Sequence, residues 1–387
     1  MSSEPAPDAT GDPAGTSPDL PPTSEEVAEA AGRAGALGAS STLLSLSAFV
    51  VVALAAVFGI VHTPYVALSP GPVTDVLGSS PGQKGLVEVS GRQTYPTNGQ
   101  LDLTTVSLRG GPGLEMGLGE TLLDWLDPSV NVVPRELYFP PDQSEKEADV
   151  ASAAEMTGSQ TNAKVAALTE LGIDVPSTVT TQVEEVAAGV PAADVLRPGD
   201  VVTSVDGRTV ADFPALQADV RALTAGAEVR LGITRGGAAQ TVTTRTVASN
   251  GATLLGITPH VDYRFPFTID IAIDDVGGPS AGTMFALAIV DELTPGAMTG
   301  GQHIAGTGAI AADGTVQQIG GLRQKVIGAH DAGARWFLAP RAECDQVAGA
   351  TPDGITVVPI STLHEARLAV EAIGQGKGST LATCDAP

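Results

Sequence analysis

The stretch FPFTIDIAIDDVGGPSAGTMFALAIVDEL, residues 265–293, predicts a strand, a tight turn and a helix. Apolar residues alternate from Phe267 to Ile273, and an apolar run of helical length follows the glycines at 277 and 278. Ser280 falls where this helix begins, beside unpaired backbone N–H groups and the positive end of the helix dipole. Such a serine either caps the helix or acts as a nucleophile next to a site that can hold an oxyanion.

A second motif follows in GTGAIAADGTVQQIGGLRQKVIGAHDAGARWFLAP, residues 306–340. It contains a hairpin signal at Asp313, a glycine pair at 320 and 321, and a helical stretch that carries Lys325. The GPSAG and GGLRQK motifs, in this order, closely resemble those of the proteolytic domain of Lon proteases. The resemblance spans residues 255–375 and predicts an α/β catalytic domain.

The resemblance to Lon proteases implies a role for each matching residue. Ser280 would be the nucleophile and Lys325 its general base. Thr307 in GTGAI would hold the lysine amine, although an ordinary strand threonine explains the same letter. We further expect the backbone N–H groups of Gly278 and Ser280 to stabilise the tetrahedral oxyanion.

Lys325 can serve as a base only if its pKa is lowered. A lysine amine with its ordinary pKa near 10.4 is almost wholly protonated at neutral pH. Burial among apolar groups with no carboxylate alongside would lower that pKa to about 7 to 8. The uncharged neighbours Ile319, Val326, Ile327 and Ala329 favour such burial.

The chain departs from the Lon pattern at two residues. Gly277 and Ala309 stand where Lon proteases carry acids, which puts acid-assisted tuning of the site in doubt. Asp274 and Asp275 could partly replace those acids, although loop acids are usually just solvated. Two histidines near the motifs, His303 and His330, are not required by the family, and we expect no catalytic role for either.

Two other functions remain open at this point. The GPSAG turn also fits the nucleophile of a Ser-His-Asp esterase, with Asp345 or Asp353 and then His364 downstream. However, the chain upstream lacks the repeated strand–helix units of such a fold. A non-catalytic PDZ adaptor with a Lon-like scaffold is the other alternative.

Residues 172–250 resemble a PDZ domain, most specifically in GVPAADVLRPGDVVTSVDG. The resemblance implies that an extended peptide adds as a strand beside the sheet, its terminal carboxylate held by backbone N–H groups. The loop LGID offers three candidates for that contact, Leu171, Gly172 and Ile173, although a helix-ending glycine explains the same letters. Leu216 and Val220 could line the groove or simply belong to the core.

The N-terminal part predicts a tail and a membrane anchor. Residues 1–42 are rich in Pro, Ser, Gly and acids, which predicts disorder. Residues 43–61 form an uncharged apolar run that predicts a transmembrane helix, and a cleavable signal peptide is the alternative. Arg33 is the only basic residue before this run, so we expect a cytoplasmic N-terminus and a catalytic body outside. Residues 64–171 predict a β-rich segment followed by helices, and residues 376–387 a C-terminal tail.

Composition excludes several function classes. The formal net charge of −24 argues against a nucleic-acid surface. Five scattered histidines and two distant cysteines predict no metal site, and no phosphate-binding G-x-x-x-x-G-K-[ST] loop is present, so we expect no cofactor and no ATP. Cys344 and Cys384 could pair in an oxidising space or remain free thiols.

The sequence therefore predicts an α+β multidomain protein with a single transmembrane helix, a PDZ-like domain and a Lon-type protease domain. The predicted function is a membrane-anchored, ATP-independent serine endopeptidase that cleaves unfolded or exposed polypeptides outside the cytoplasm. The predicted partners are polypeptide substrates, the membrane and further copies of the chain, since Lon resemblance implies a ring that commonly has six subunits.

Overall fold

The computed structural model describes residues 24, 46–53, 56, 58–78, 85–140, 143–249, 251–273 and 276–385. The predicted N-terminal tail lies outside these residues except for Ser24. The two loop acids considered above, Asp274 and Asp275, also lie outside them.

The prediction of a transmembrane helix over residues 43–61 is wrong. The described residues between 46 and 60 are helical, but no helix within the described part of the chain is both long and apolar enough to cross a bilayer. A membrane span needs about 20 consecutive apolar residues in one continuous helix. The sequence pattern showed an apolar run but could not show that the run forms such a helix. The same finding overturns the predicted single-pass location in the cell membrane, with the catalytic body outside.

The chain divides into two compact units, residues 1–63 with 116–122, and residues 64–115 with 123–387. In the first unit, β1 (His62–Thr63) pairs antiparallel with β5 (Met116–Gly117). Helix α1 (Leu118–Leu126) begins in that unit. The second unit contains the two sheets described next.

The large sheet has six strands in the order β20-β19-β16-β4-β2-β6. Strands β4, β16, β19 and β20 are parallel, whereas β2 and β6 run antiparallel to their neighbours. The bounds are β2 (Tyr65–Asp75), β4 (Gln100–Arg109), β6 (Asn131–Pro134), β16 (His303–Gly306), β19 (Trp336–Pro340) and β20 (Thr356–Ile360).

Both faces of the large sheet are covered, as expected for parallel strands. Helices α2 (Glu145–Glu170), α4 (Gly282–Leu293) and α6 (Leu363–Gly374) pack with one face, and α5 (Leu322–Asp331) packs with the other. Successive strand residues therefore alternate between two cores, Ile304, Leu338 and Val358 on the first and Ala305, Phe337 and Val357 on the second. Ser144 and Glu147 form a capping box at the start of α2.

The small sheet has the order β11-β10-β8-β7-β14, with β9 paired to β8. A core of its own lies between this sheet and helix α3 (Phe213–Arg221). A tight turn at Asp206 and Gly207, with positive φ at both residues, joins β8 to β9. The strands are β7 (Ser177–Val186), β8 (Val201–Val205), β9 (Arg208–Thr209), β10 (Glu228–Arg235), β11 (Ala238–Arg245) and β14 (Ile257–Tyr263).

The small sheet is inserted between α2 and the strand that leads to Ser280. The chain enters through β7 and leaves through β14, and these two strands pair antiparallel along their length. After β14 comes β15 (Thr268–Ile271), which pairs with β3 (Val87–Ser90) and precedes the Ser280 turn. Two short hairpins complete the strands, β12 (Val247–Ser249) with β13 (Ala252–Leu254) and β17 (Ala309–Ile310) with β18 (Val316–Gln317).

Candidate active site

Ser280, Thr307 and Lys325 come together from three different elements. Ser280 lies in the turn before α4, Thr307 directly follows β16, and Lys325 lies one turn into α5. The Lys325 Nζ lies 2.8 Å from the Ser280 Oγ and 3.0 Å from the Thr307 Oγ1. The Thr307 hydroxyl in turn donates to the Ser280 backbone carbonyl at 3.1 Å.

The hydrogen bonds around Lys325 are compatible with its neutral form. Thr307 has one hydroxyl hydrogen, and it is used on the carbonyl of Ser280, so toward the lysine Thr307 can only accept. A neutral amine has two N–H groups and one lone pair. With one N–H directed at Thr307, the lone pair can accept the hydroxyl hydrogen of Ser280. The arrangement therefore suits proton transfer from serine to lysine.

Burial of Lys325 changes its pKa. Its side chain is 2% exposed, and burial lowers its pKa from the ordinary 10.5 to about 8. The charge of Glu343 acts in the opposite direction and raises the pKa of Lys325. With a pKa near 8, roughly a tenth of the amine is neutral at pH 7.

Glu343 is a residue that sequence reasoning missed, because we expected no carboxylate near Lys325. Glu343 is 3% exposed in the 3-10 helix Arg341–Gln346, and burial raises its pKa. Its Oε2 accepts the Ile319 N–H at 2.9 Å, just before the glycine pair that starts α5. No local sequence pattern marks Glu343, because it lies in the connection between β19 and β20, which follows Lys325 in the chain.

The nucleophile turn is held by helix α2. The Ser159 Oγ donates to the Pro279 carbonyl at 2.8 Å, and the Gly278 N–H donates to the Ser152 carbonyl at 3.3 Å. A side chain at Gly277 would meet the Ser152 side chain, which would have to move to admit an acid there. Of the two predicted oxyanion donors, Gly278 is thus engaged by Ser152 in this structure.

Ser280 does not cap α4 with its side chain. The N-cap residue of α4 is Ala281, which makes no side-chain hydrogen bond to the helix end. The hydroxyl of the partly exposed Ser280 instead meets Lys325. Within the described residues, no backbone carbonyl accepts the Ser280 N–H.

The histidines considered for a triad lie with other partners. The His364 Nδ1 is 2.9 Å from the Glu170 Oε1, while Asp345 and Asp353 are exposed. The His303 Nε2 is 2.6 Å from the Asp102 Oδ2, at the opposite end of β16 from Thr307, and His330 lies beside Asp331 on the surface. No hydrogen bond among the described residues joins any of these histidines to Ser280.

The structure separates the residues predicted to bind a peptide. Leu171 and Ile173 pack against the core that contains α4, and Gly172 has a positive φ directly after the end of α2. Leu216 and Val220 are instead buried in the core of the small sheet. The helix-end explanation of LGID thus fits the observed backbone.

A cavity of about 100 Å³ lies on the small-sheet region. The α3 side chains that line it belong to Phe213, Leu216, Gln217 and Val220. Residues 253–257, with sequence TLLGI, form its other wall and lead into β14. Sequence reasoning missed this wall because it lies beyond the predicted range of the domain.

Cys344 and Cys384 are joined by a disulfide. Cys344 directly follows Glu343, and Cys384 donates its backbone N–H to the Val357 carbonyl of β20 at 3.0 Å. Both cysteines pack with Leu322 and Val326 of α5. The disulfide therefore joins the end of the chain to the core beneath the lysine helix. Across the described part of the chain, no group of three or more His, Cys, Asp or Glu side chains could hold a metal ion.

Comparison with known protein families agrees with both predicted resemblances, to Lon proteases and to PDZ domains. Residues 272–369 match the profile of the Lon protease C-terminal proteolytic domain, and residues 169–246 match a PDZ domain profile. These matches confirm the predicted resemblances to Lon proteases and PDZ domains and the predicted serine-protease class. Neither bears on membrane anchoring.

Curated relatives match over less than a third of this chain. Lon protease 1 of Bacillus subtilis (strain 168) is 34% identical over 116 residues, 29% of this chain and 15% of the relative. The Lon protease of Chloroflexus aurantiacus is 34% identical over 125 residues, 31% of this chain and 15% of the relative. The chain thus spans about a seventh of the length of these relatives.

A solved PDZ domain of an SdrC-like protein from Listeria monocytogenes is 27% identical, covering 21% of this chain and 86% of that one with a TM-score of 0.20. The two profile matches lie in separate parts of the chain, and Ser280 and Lys325 lie in the part that matches Lon proteases. The chain is similar to PDZ domains in its middle and to the Lon proteolytic domain in its last third, and these likenesses support a serine protease.

Proposed function

We propose that the protein is an ATP-independent endopeptidase that cleaves unfolded or exposed polypeptides with a Ser280–Lys325 dyad. The observation that carries this proposal is the buried Lys325 amine, 2.8 Å from the Ser280 hydroxyl. Its pKa is lowered to about 8 by burial, so a neutral base is accessible near physiological pH.

The reaction uses these groups in two stages. In acylation, Lys325 takes the hydroxyl proton of Ser280 while the Oγ attacks the scissile carbonyl, and the Ser280 N–H stabilises the oxyanion. The lysine ammonium then gives its proton to the leaving amine, and an acyl-enzyme remains. In deacylation, Lys325 takes a proton from water while the water oxygen attacks the ester. The Lys325 ammonium then returns a proton to the Ser280 Oγ as the ester bond breaks, which releases the new carboxyl terminus and restores the Ser280 hydroxyl.

Thr307 is the positioning residue of this dyad. It accepts from the lysine amine and donates to the Ser280 carbonyl, so it directs the lysine lone pair at the nucleophile. Because the hydroxyl is 3.0 Å from the Nζ, it also offers a neutral partner that stabilises the amine without fixing it as a cation.

The test is digestion of an unfolded, fluorescently labelled protein by the full chain, with no nucleotide present. Wild type should cleave it, Ser280→Ala and Lys325→Ala should be inactive, and His364→Ala should match wild type. Cleavage by Ser280→Ala equal to wild type would refute the dyad. Loss of activity only in His364→Ala would instead support the esterase-like triad.

We also propose that the PDZ region binds extended peptides in the cavity between α3 and residues 253–257. The supporting observation is the apolar wall of Leu216 and Val220 facing a loop with a glycine at 256. Binding of a labelled peptide with an apolar C-terminus should weaken about tenfold in Leu254→Glu, a loss of about 1.4 kcal/mol. Equal binding of a C-terminally amidated peptide would show that the terminal carboxylate is not recognised.

Self-assembly is the remaining part of the proposal. Resemblance to Lon proteases implies a ring of like subunits, which would restrict entry to chains that are already extended. Sedimentation of the purified chain should give a mass several times 38.9 kDa. A monomer that retains full proteolytic activity would remove assembly from the proposed function.

A further inference from the structure

Helix α2 contributes a buried serine to the nucleophile turn, although it lies outside residues 272–369, the range that matches the Lon profile. Ser159 is 3% exposed, and its Oγ donates to the Pro279 carbonyl at 2.8 Å. The two residues are 120 positions apart in the chain, with the whole small sheet between them. The contact therefore depends on the tertiary fold.

Other hydroxyls of α2 behave differently. A serine or threonine in a helix commonly donates to the carbonyl four residues earlier. Thr157 and Thr161 do this, with donations to the Ala153 and Thr157 carbonyls at 2.9 and 3.1 Å. Ser159, between them, instead donates across the helix interface to the Ser280 turn. Helical context alone would not select that partner.

The contact with Ser159 also orients the Ser280 N–H, because this N–H and the Pro279 carbonyl belong to the same peptide group. A peptide group is planar and, when the second residue is not proline, almost always trans. The Pro279 carbonyl and the Ser280 N–H therefore point in opposite directions. When Ser159 holds the carbonyl on the side of α2, the N–H must point to the other side, away from that helix.

The next peptide bond is held as well. The Ser280 carbonyl accepts from the Thr307 hydroxyl at 3.1 Å and from the Gly308 N–H at 2.8 Å. The peptide groups on both sides of Ser280 are thus fixed, one by α2 and the other by the segment after β16. Preorganised donors of this kind are what oxyanion stabilisation requires.

The packing leaves little room for another arrangement. A Cβ added at Gly282, in the first turn of α4, would lie 2.8 Å from the Ser159 Oγ. The close approach of α4 to α2 therefore favours glycine at 282 and a small side chain at 159. Both features bring the serine oxygen within reach of the Pro279 carbonyl.

We infer that Ser159 is a positioning residue for proteolysis, which holds the Pro279–Ser280 peptide so that the Ser280 N–H faces the oxyanion of the tetrahedral intermediate. The inference rests on the proposed function, since it requires attack by Ser280. Ser159 itself touches neither substrate nor the reacting atoms. Its effect should appear in the transition state, with ground-state binding of the substrate unchanged.

The test compares Ser159→Ala with Thr161→Ala in the full chain. Loss of a direct oxyanion donor costs roughly 100- to 1000-fold in kcat, so loss of its support should cost roughly 10- to 100-fold. In Ser159→Ala we expect kcat to fall by this factor, KM to stay within twofold, and the pH midpoint to remain that of wild type. Thr161→Ala, which removes a hydroxyl bonded within its own helix, should match wild type.

A peptidyl boronic acid provides a second measurement, because its tetrahedral adduct with Ser280 places an oxygen where the oxyanion forms. Its affinity should fall in Ser159→Ala by the same factor as kcat/KM. Ser159→Cys, with a side chain of similar shape and a weak donor, should give intermediate losses and serves if the alanine variant does not fold. Equal losses in kcat and substrate affinity, or unchanged boronate affinity, would overturn the positioning role.

The outcomes also separate this inference from the proposed function. If Ser280→Ala is inactive while Ser159→Ala and Ser159→Cys equal wild type, the dyad stands and the role of Ser159 is refuted. If Ser280→Ala remains active, the proposed function fails and the inference fails with it.

Discussion

The PDZ region and the protease region each bury a charged side chain, and they stabilise it in opposite ways. In the PDZ region, Asp200 has a side chain only 1% exposed and forms a two-point ion pair with Arg235, with both N–O distances 2.7 Å. Hydrogen bonds from Arg235 lower the pKa of Asp200. In the protease region, Lys325 meets two neutral hydroxyls instead, and its pKa falls to about 8.

The difference lies in what the partner does to the charged form. Arg235 favours ionised Asp200, so this pair stays charged and acts only on stability. The hydroxyls of Ser280 and Thr307 do not compensate for the desolvation of Lys325, so its neutral form lies within reach at neutral pH. The ion pair thus keeps buried Asp200 ionised, whereas Lys325, whose hydrogen-bond partners are neutral hydroxyls, has a neutral form available for reaction.

The largest expected effect comes from making the reactive charge permanent. Lys325→Arg keeps a cation but cannot lose its proton, because a guanidinium remains charged throughout the working range. We expect kcat/KM to fall by at least roughly 10⁴-fold, as when a catalytic base is lost. In wild type, kcat/KM should rise about tenfold per pH unit below pH 8 and then level off. A flat profile between pH 6 and 8 would contradict the assignment of Lys325 as the base.

Breaking the structural pair should affect stability and leave the chemistry alone. Arg235→Met leaves Asp200 buried without its cation, a change that costs about 3 to 5 kcal/mol in buried pairs. We expect the PDZ region to unfold at a lower denaturant concentration. Cleavage of an unfolded substrate should keep its dependence on pH.

The matched control for Arg235→Met is Arg208→Met. Arg208 forms an exposed ion pair with Asp219 at 3.2 Å, and such pairs contribute about 0 to 1 kcal/mol. Equal destabilisation by both substitutions would mean that burial does not distinguish the two pairs.

The third prediction concerns the cost of keeping Lys325 reactive. Its pKa is lower in the folded chain than in the unfolded one, so folding is disfavoured wherever the unfolded chain binds the extra proton. That cost is complete below pH 8 and declines as pH rises from about 8 to 10.5. Lys325→Met should therefore stabilise the fold by up to roughly 3 kcal/mol at pH 6.

Denaturant unfolding at pH 6 and pH 10 measures this stabilisation. The advantage of Lys325→Met over wild type should be largest at pH 6 and should shrink at pH 10. A variant less stable than wild type at pH 6 would indicate that packing around the lysine stem outweighs the desolvation of its charge.

The smallest effect is expected from Glu343. Its negative charge raises the pKa of Lys325, so Glu343→Gln should move the midpoint of the activity profile to lower pH. We expect a shift of less than about one pH unit, equivalent to less than about 1.4 kcal/mol. The matched control is Glu365→Gln on the surface of α6, which should leave the midpoint unchanged.

The sequence predicted the parts of the site that are written in local patterns. GPSAG and GGLRQK indicated Ser280 and Lys325 through their resemblance to the proteolytic domain of Lon proteases. Ser159 and Glu343 could not be found in this way, since their partners lie far away in the chain and hydrophobic patterning carries no signal for such contacts. The loop at 253–257 was missed for a related reason, because it returns to the PDZ region after that domain was expected to end.

The paired strands β7 and β14 bring the two ends of the PDZ insertion side by side. Ser177 lies opposite Tyr263, and the Arg264 N–H donates to the Pro176 carbonyl at 2.8 Å. Neighbouring strands lie about 5 Å apart, a gap that a short turn can close. The segment between these strands could therefore be gained, lost or exchanged as one unit, and the rest of the chain would keep its path from α2 to β15.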